Sequence, residues 1–161
     1  MNANTATRAL LFAAASFGIC LCAAHAANTR KEARIDIAPG GTVNIVNGGG
    51  SITLHSGAGH QLLATYTVHS AKVEVDQSTS ANKQRVELLT HALPGEKPTA
   101  DEAKVDYDVT VPTGVSVNVT STSAPITADG INSDIGLSSE TGQITVHNVA
   151  RSHVNVRSMT A

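Results

Sequence analysis

Tryptophan is absent from this sequence, and Phe12, Phe17, Tyr66 and Tyr107 are its only aromatic residues. Both phenylalanines fall in an N-terminal stretch treated separately below, which leaves two tyrosines for the rest of the chain. A core without large rings is built from Val, Ile, Leu and Ala, which suits a thin interior between closely stacked strands. The same shortage removes the ring platforms on which a sugar would rest. Cysteine is equally scarce: Cys20 and Cys22 lie in the same N-terminal stretch. Residues 27–161 therefore carry no disulfide framework, redox pair or thiolate metal motif. Basic charge is not in excess either, since 11 Lys and Arg face 13 Asp and Glu for a net of −2. A nucleic-acid footprint would need a basic stripe, and none is written here. No Walker loop, Gly-x-Ser-x-Gly or His-Glu-x-x-His occurs.

The N-terminal stretch reads as a secretory signal peptide over residues 1–26. Arg8 gives the positive start, Ala9 to Ala24 is almost wholly apolar, and Ala24-His25-Ala26 offers the small-x-small cleavage site. The apolar run falls short of the 18 or so residues of a membrane span. Ile19 and Leu21 precede the two cysteines where a lipoprotein signal wants a small residue, so lipidation is not expected. The protein is expected to be exported to the periplasm, cell surface or medium, with no membrane span after cleavage. Residues 27–161 are expected to form a single β-repeat domain.

What is present in that domain is a repeated pair of short apolar alternations. Val117-Asn118-Val119 is followed nine positions on by Ile126-Thr127-Ala128, and Ile135-Gly136-Leu137 nine on by Ile144-Thr145-Val146. Val154-Asn155-Val156 begins another copy. The copies are offset by 18 from Ile126 to Ile144 and by 19 from Ile135 to Val154, the signature of stacked repeats. Val43-Asn44-Ile45 and Ile52-Thr53-Leu54 repeat the unit upstream. Alignment by this spacing groups Gly50, Ala124 and Gly142, then Ile52, Ile126 and Ile144, then Thr53, Thr127 and Thr145. The small residue is explained by a turn that needs φ > 0 or close chain approach.

Between the copies the alternation persists without the period. Leu62, Ala64, Tyr66 and Val68 share one face, Val73 and Val75 another, then Val86 and Leu88. Val105, Tyr107, Val109 and Val111 point inward on the longest strand, against Asp106, Asp108 and Thr110. Residues 90–104, with Pro94-Gly95 and Lys97-Pro98, read as a loop. No window beyond the signal peptide has helical periodicity.

These residues resemble a family. Ile37-Ala38-Pro39-Gly40-Gly41-Thr42-Val43-Asn44-Ile45, Gly50-Ser51-Ile52-Thr53-Leu54, Val109-Thr110-Val111-Pro112-Thr113-Gly114-Val115 and Thr141-Gly142-Gln143-Ile144-Thr145-Val146 look like the exported bacterial β-strand-repeat proteins called putative adhesins. That family is largely without assigned function. The resemblance covers about residues 34–161 and implies an exported β-solenoid or solenoid-like sandwich, with no catalytic residues to carry over.

Four constellations have side chains of the kind that build sites. Glu74 with Asp76, and Asp106 with Asp108, are paired carboxylates such as glycoside hydrolysis uses; alternation also places charges on the solvated face of a sheet, the reading preferred here. Asp129 to Asp134 is rich in oxygen ligands but lacks the order of a calcium loop, and Asn47 to Gly50 lacks the Asp of a calcium-binding glycine repeat. Turns account for both. His55, Asp129 and His147 fall at one repeat position, so neighbouring layers would bring them about 4.8 Å apart as hydrogen-bonded neighbours or metal ligands. A surface pair is preferred, because a third ligand is not placed.

The fold expected is all-β: a short β-solenoid-like stack of 18-residue repeats with an irregular middle segment, the alternative being an antiparallel β-sandwich. The function expected is that of a non-enzymatic envelope or surface interaction module, without catalytic, cofactor-binding or metal-binding residues. The alternative is a carbohydrate-active enzyme or carbohydrate-binding module. The expected partner is a second copy or another envelope protein, joined through the edge strand Val154-Met159.

Overall fold

Alternation with a two-residue period dictates strands, and the computed structural model contains only strands and turns over the residues it describes, 28–149 and 153–159. The expected signal peptide lies outside the described residues. Among the described residues no helix is long and apolar enough to cross a membrane.

The paired alternations form strands at the positions their spacing gives. β2 (Thr42–Asn47) leads to β3 (Ile52–Gly57), β8 (Ser116–Ser121) to β9 (Ile126–Asp129), and β10 (Ile135–Ser139) to β11 (Ile144–His147), with β12 (Val154–Ser158) beginning the next layer. First strands stack on first strands in parallel, pairing Val43 with Val117, Val117 with Ile135 and Ile135 with Val154. Second strands do the same, pairing Ile52 with Ile126 and Ile126 with Ile144. Each layer thus gives one strand to each of two sheets.

The middle segment is more regular than its sequence suggested. β6 (Arg85–Ala92) lies parallel to β2, and β7 (Val105–Pro112) lies parallel to β3. Together they add a layer below the first repeat, closed by the 93–104 connection instead of a tight glycine turn. β6 continues through Thr90 to Ala92, which the sequence assigned to loop, because these residues pair with Val73–Val75 of β5 (Val73–Thr79). β4 (Gln61–Val68) and β1 (Thr29–Asp36) complete the other sheet by antiparallel pairing. The sheets are six-stranded, mixed and open, in the orders β1-β4-β7-β3-β9-β11 and β12-β10-β8-β2-β6-β5. Two such packed layers are compatible with a sandwich, with the repeat strands running parallel in both.

One buried cluster fills the space between the sheets, drawing Val43, Ile45, Val117, Val119, Ile135 and Leu137 from one and Ile52, Leu54, Val109 and Ile126 from the other. The two tyrosines meet in it across β4 and β7, their ring centroids 5.8 Å apart. Burial pushes the Tyr107 phenol well up, and its hydroxyl pairs with Thr90 Oγ1 at 2.7 Å. The inward faces read from the sequence hold at Leu62, Ala64, Tyr66, Val68, Val86 and Leu88. Ile144 and Val146 are half-buried instead of fully buried, because β11 is the outermost strand of its sheet among the described residues.

The small-residue position is set by contact between layers. Gly50 has φ +98°, and a Cβ there would lie 2.3 Å from the Val105 carbonyl oxygen; at Gly142 it would lie 2.2 Å from that of Ala124.

Candidate functional site

The two ends of the stack differ chemically. At one end β1 is an edge carrying Arg30, Lys31, Glu32, Arg34 and Asp36, charges that discourage pairing with a further strand. At the other, β12 pairs with β10 alone among the described residues and carries one charge, Arg157. Val154 and Val156 are in register with buried Ile135 and Leu137, yet are 43% and 45% exposed. Their inward faces lack an opposing strand beyond β11 among the described residues. Met159, beside them in sequence, is 82% exposed. Among the described residues this end of the stack is therefore an apolar ledge with strand edges on both sheets.

The paired carboxylates stand on outward faces, as alternation required, but in different surroundings. Asp106 accepts from Ser51 Oγ at 2.7 Å and faces His69 Nε2 at 2.6 Å. Burial pushes its carboxyl up, but the hydrogen bonds from His69 and Ser51 together outweigh this and hold it below the usual carboxylate range. Ser, Asp and His are all here, but the carboxylate stands between the other two. The imidazole therefore cannot take the serine proton as a nucleophilic triad requires. Asp108 lies 3.8 Å from His55 Nε2.

Glu74 and Asp76 share the outer face of β5 with His91, which sits directly across from Glu74 on β6. His91 Nε2 is 3.0 Å from Asp76 Oδ2 and 3.5 Å from Glu74 Oε1, while Nδ1 donates to the Ala92 carbonyl at 2.9 Å. The His91 pKa is raised above 6.5, first by the bond to Ala92, against desolvation, then by Asp76 and Glu74. The ligand atoms of the three side chains lie within 4.8 Å of one another. Sequence reading singled out the carboxylates and missed His91, whose position depends on the register of the β5–β6 pair. The signal was available in Ser80-Ala81-Asn82-Lys83-Gln84: a hairpin turn there sets Thr79 opposite Val86, and counting back brings Glu74 to His91.

The remaining candidates are brought into register but not into a cluster. His55, Asp129 and His147 do align across β3, β9 and β11. Asp129, however, accepts from Asn148 Nδ2 at 2.7 Å, and His55 leans toward Asp108. Asp134 faces His153 Nδ1 at 3.1 Å and accepts its backbone N–H. In the Asn47 to Gly50 turn, buried Asn47 donates to the carbonyls of Gly49 and Val105, both at 2.8 Å. Across the outer face of the β12-β10-β8-β2-β6-β5 sheet runs a shallow depression lined by Asn118, Gly136, Ser138, Asn155 and Arg157. Asn118 donates there to Asn44 at 3.2 Å.

No family model matches the sequence, and no curated protein is significantly similar to it. Among solved structures it is similar to a putative cell adhesion protein from Clostridium sporogenes ATCC 15579, with a TM-score of 0.61 over 81% of this chain and 68% of that one. At 12% identity the likeness is one of fold.

Proposed function

We propose that this protein is an exported, non-enzymatic interaction module of the adhesin-like kind, a short solenoid-like stack that engages a second copy of itself or another envelope protein by strand addition at β12. The observation that carries this reading is the contrast between the two ends, one guarded by charged β1 and the other presenting Val154 and Val156 on a nearly uncharged edge. Such an edge offers main-chain donors and acceptors to an incoming strand, and the ledge offers its apolar side chains a place to pack. The fold likeness to a structure described as a putative cell adhesion protein supports the same reading, as does the secretory character of residues 1–26.

Val156→Pro tests it, because proline removes one ladder donor and obstructs the edge. Sedimentation of the parent and variant, with a pull-down from envelope extract, should show a self-complex or a captured protein in the parent that the proline abolishes. A parent that stays monomeric at high concentration, with a pull-down unchanged by the proline, overturns it.

A carbohydrate-binding reading has one observation in its favour, the Asn-lined depression at Asn118, Gly136 and Asn155. Glycan binding lost on Asn118→Ala and kept in Val156→Pro would favour it over the edge.

A further inference from the structure

We propose that Glu74, Asp76 and His91 form a binding site for a divalent transition-metal ion of the zinc class, independent of the β12 edge. The scaffold comes first. β5 and β6 are joined by a tight hairpin and paired over seven positions from Val73–Ala92 to Thr79–Val86. Glu74 and His91 are directly opposite, and Asp76 is two residues along on the same face. All three side chains therefore project from paired strands, which hold a site more closely than loops do.

The spacing suits an ion of this size. Tetrahedral bonds of about 2.0 to 2.2 Å put neighbouring ligand atoms about 3.3 to 3.6 Å apart. Here the imidazole nitrogen stands 3.0 Å from one carboxylate oxygen and 3.5 Å from the other. Small side-chain adjustments would put an ion at the centre and leave at least one position for water.

The imidazole is also oriented for coordination. With Nδ1–H donated to the Ala92 carbonyl, Nε2 faces the two carboxylates and donates its own proton to Asp76; loss of that proton to solvent on metal binding leaves the Nε2 lone pair aimed between them. A backbone carbonyl on the far nitrogen is the support that metal-ligating histidines characteristically have. A metal ion at Nε2 would take the place of that proton as the bridge between the imidazole and the two carboxylates.

Charge balance distinguishes this cluster from the other ion pairs. Asp36 has Lys83, Glu102 has Lys72, Asp101 has Lys104, Glu32 has Arg34, and Glu87 has Arg85. Asp106 and Asp134 each have one histidine to themselves. Among the described residues, Glu74 and Asp76 share His91 as their only cationic partner. Two carboxylates on one imidazole leave negative charge over, which a divalent ion neutralises. One nitrogen and two oxygens suit zinc or a similar ion, whereas calcium takes six to eight oxygens.

Isothermal titration of chelator-treated full-length protein with zinc at neutral pH should show one ion bound per chain. His91→Gln and Asp76→Asn should each weaken that binding about tenfold or more, given the loss of one ligand in three. Both side chains lie outside the core, and matched thermal melts would show that the variants fold. His69→Gln should bind as the parent does, and a millimolar excess of calcium should not displace zinc. In nitrogen-15 spectra the Nε2 resonance of His91 should move on zinc addition. Lack of binding at millimolar zinc overturns the proposal; so does binding unchanged in both His91→Gln and Asp76→Asn, or binding lost in His69→Gln alone.

Discussion

Ser121 and Ser139 stand in register on β8 and β10, and each turns its buried hydroxyl to the turn ahead of it. Ser121 Oγ accepts the N–H of Ala124 at 2.8 Å, and Ser139 Oγ accepts that of Gly142 at 2.9 Å. Asn47 holds the same register position on β2 and serves its own turn by donating to Gly49 and Val105. The corner of each of these three layers is thus closed by a side chain that the alternation sends inward.

Removing that closure should cost more than removing an exposed hydroxyl. Ser121→Ala leaves the Ala124 N–H buried without its acceptor, a loss of about 1 to 3 kcal/mol. Ser123, whose hydroxyl donates to the Gly48 carbonyl at an exposed position, should lose less than about 0.5 kcal/mol as alanine. Urea unfolding of the two variants measures the difference.

The second prediction concerns contact between layers at the same corner. Gly142→Ala drives a methyl into the Ala124 carbonyl, and Gly50→Ala adds a positive φ to a similar collision with Val105. Gly50→Ala should be the more destabilising, both exceeding about 1 kcal/mol. Gly95→Ala, with φ +84° but open space around its Cβ, should cost less than either. Thermal melts of the three variants should fall in that order.

Core truncations should grade with position in the stack. Ile126 is fully buried between neighbouring layers, so Ile126→Ala should cost about 2 to 4 kcal/mol. Ile144→Ala, at the half-buried outermost strand, should cost distinctly less. Thr127→Ala, on the outward side, should stay under about 1 kcal/mol. Equal losses at Ile126 and Thr127 in chemical denaturation would contradict the register.

The reason Ile126 and Ile144 could be matched from sequence alone is local. Nine residues separate the strands of each unit, and a small residue marks the corner, so Ile52, Ile126 and Ile144 align without knowledge of the rest. Val86 and Tyr107 belong to a further layer by the same pairing logic. Their connection spans 93–104, however, and two residues before Tyr107 stands Val105 instead of a glycine corner. His91 was hidden for a related reason: what it touches is fixed by pairing across a hairpin, which a single strand's alternation does not specify. The outward position of Glu74 and Asp76 was legible because it needs only the period of two.

Acid stability should carry a share from Asp106. Its folded-state pKa lies below the ordinary 3.8, so its stabilising share is fully present above that value and is lost as pH falls through the folded pKa. Unfolding midpoints of the parent should therefore drop below about pH 4 more steeply than those of Asp106→Asn, in which no carboxylate remains to be protonated at that position. Parallel acid limbs in the two proteins would contradict the pairing of Asp106 with His69 and Ser51.

The parallel register of β8 and β10 also governs how such a chain can change in length. One circuit from Val117 to Ile135 returns every side chain to the same column, with Ser121 above Ser139 and Asn118 above Gly136. A tandem duplication of residues 116–133 would therefore insert a floor whose upper and lower surfaces already match their new neighbours. A one-residue insertion within β8 would instead turn its buried valines to solvent from that point on. Natural variation among chains built on this plan is expected to come in whole circuits of about 18 residues, as storeys are added to a building.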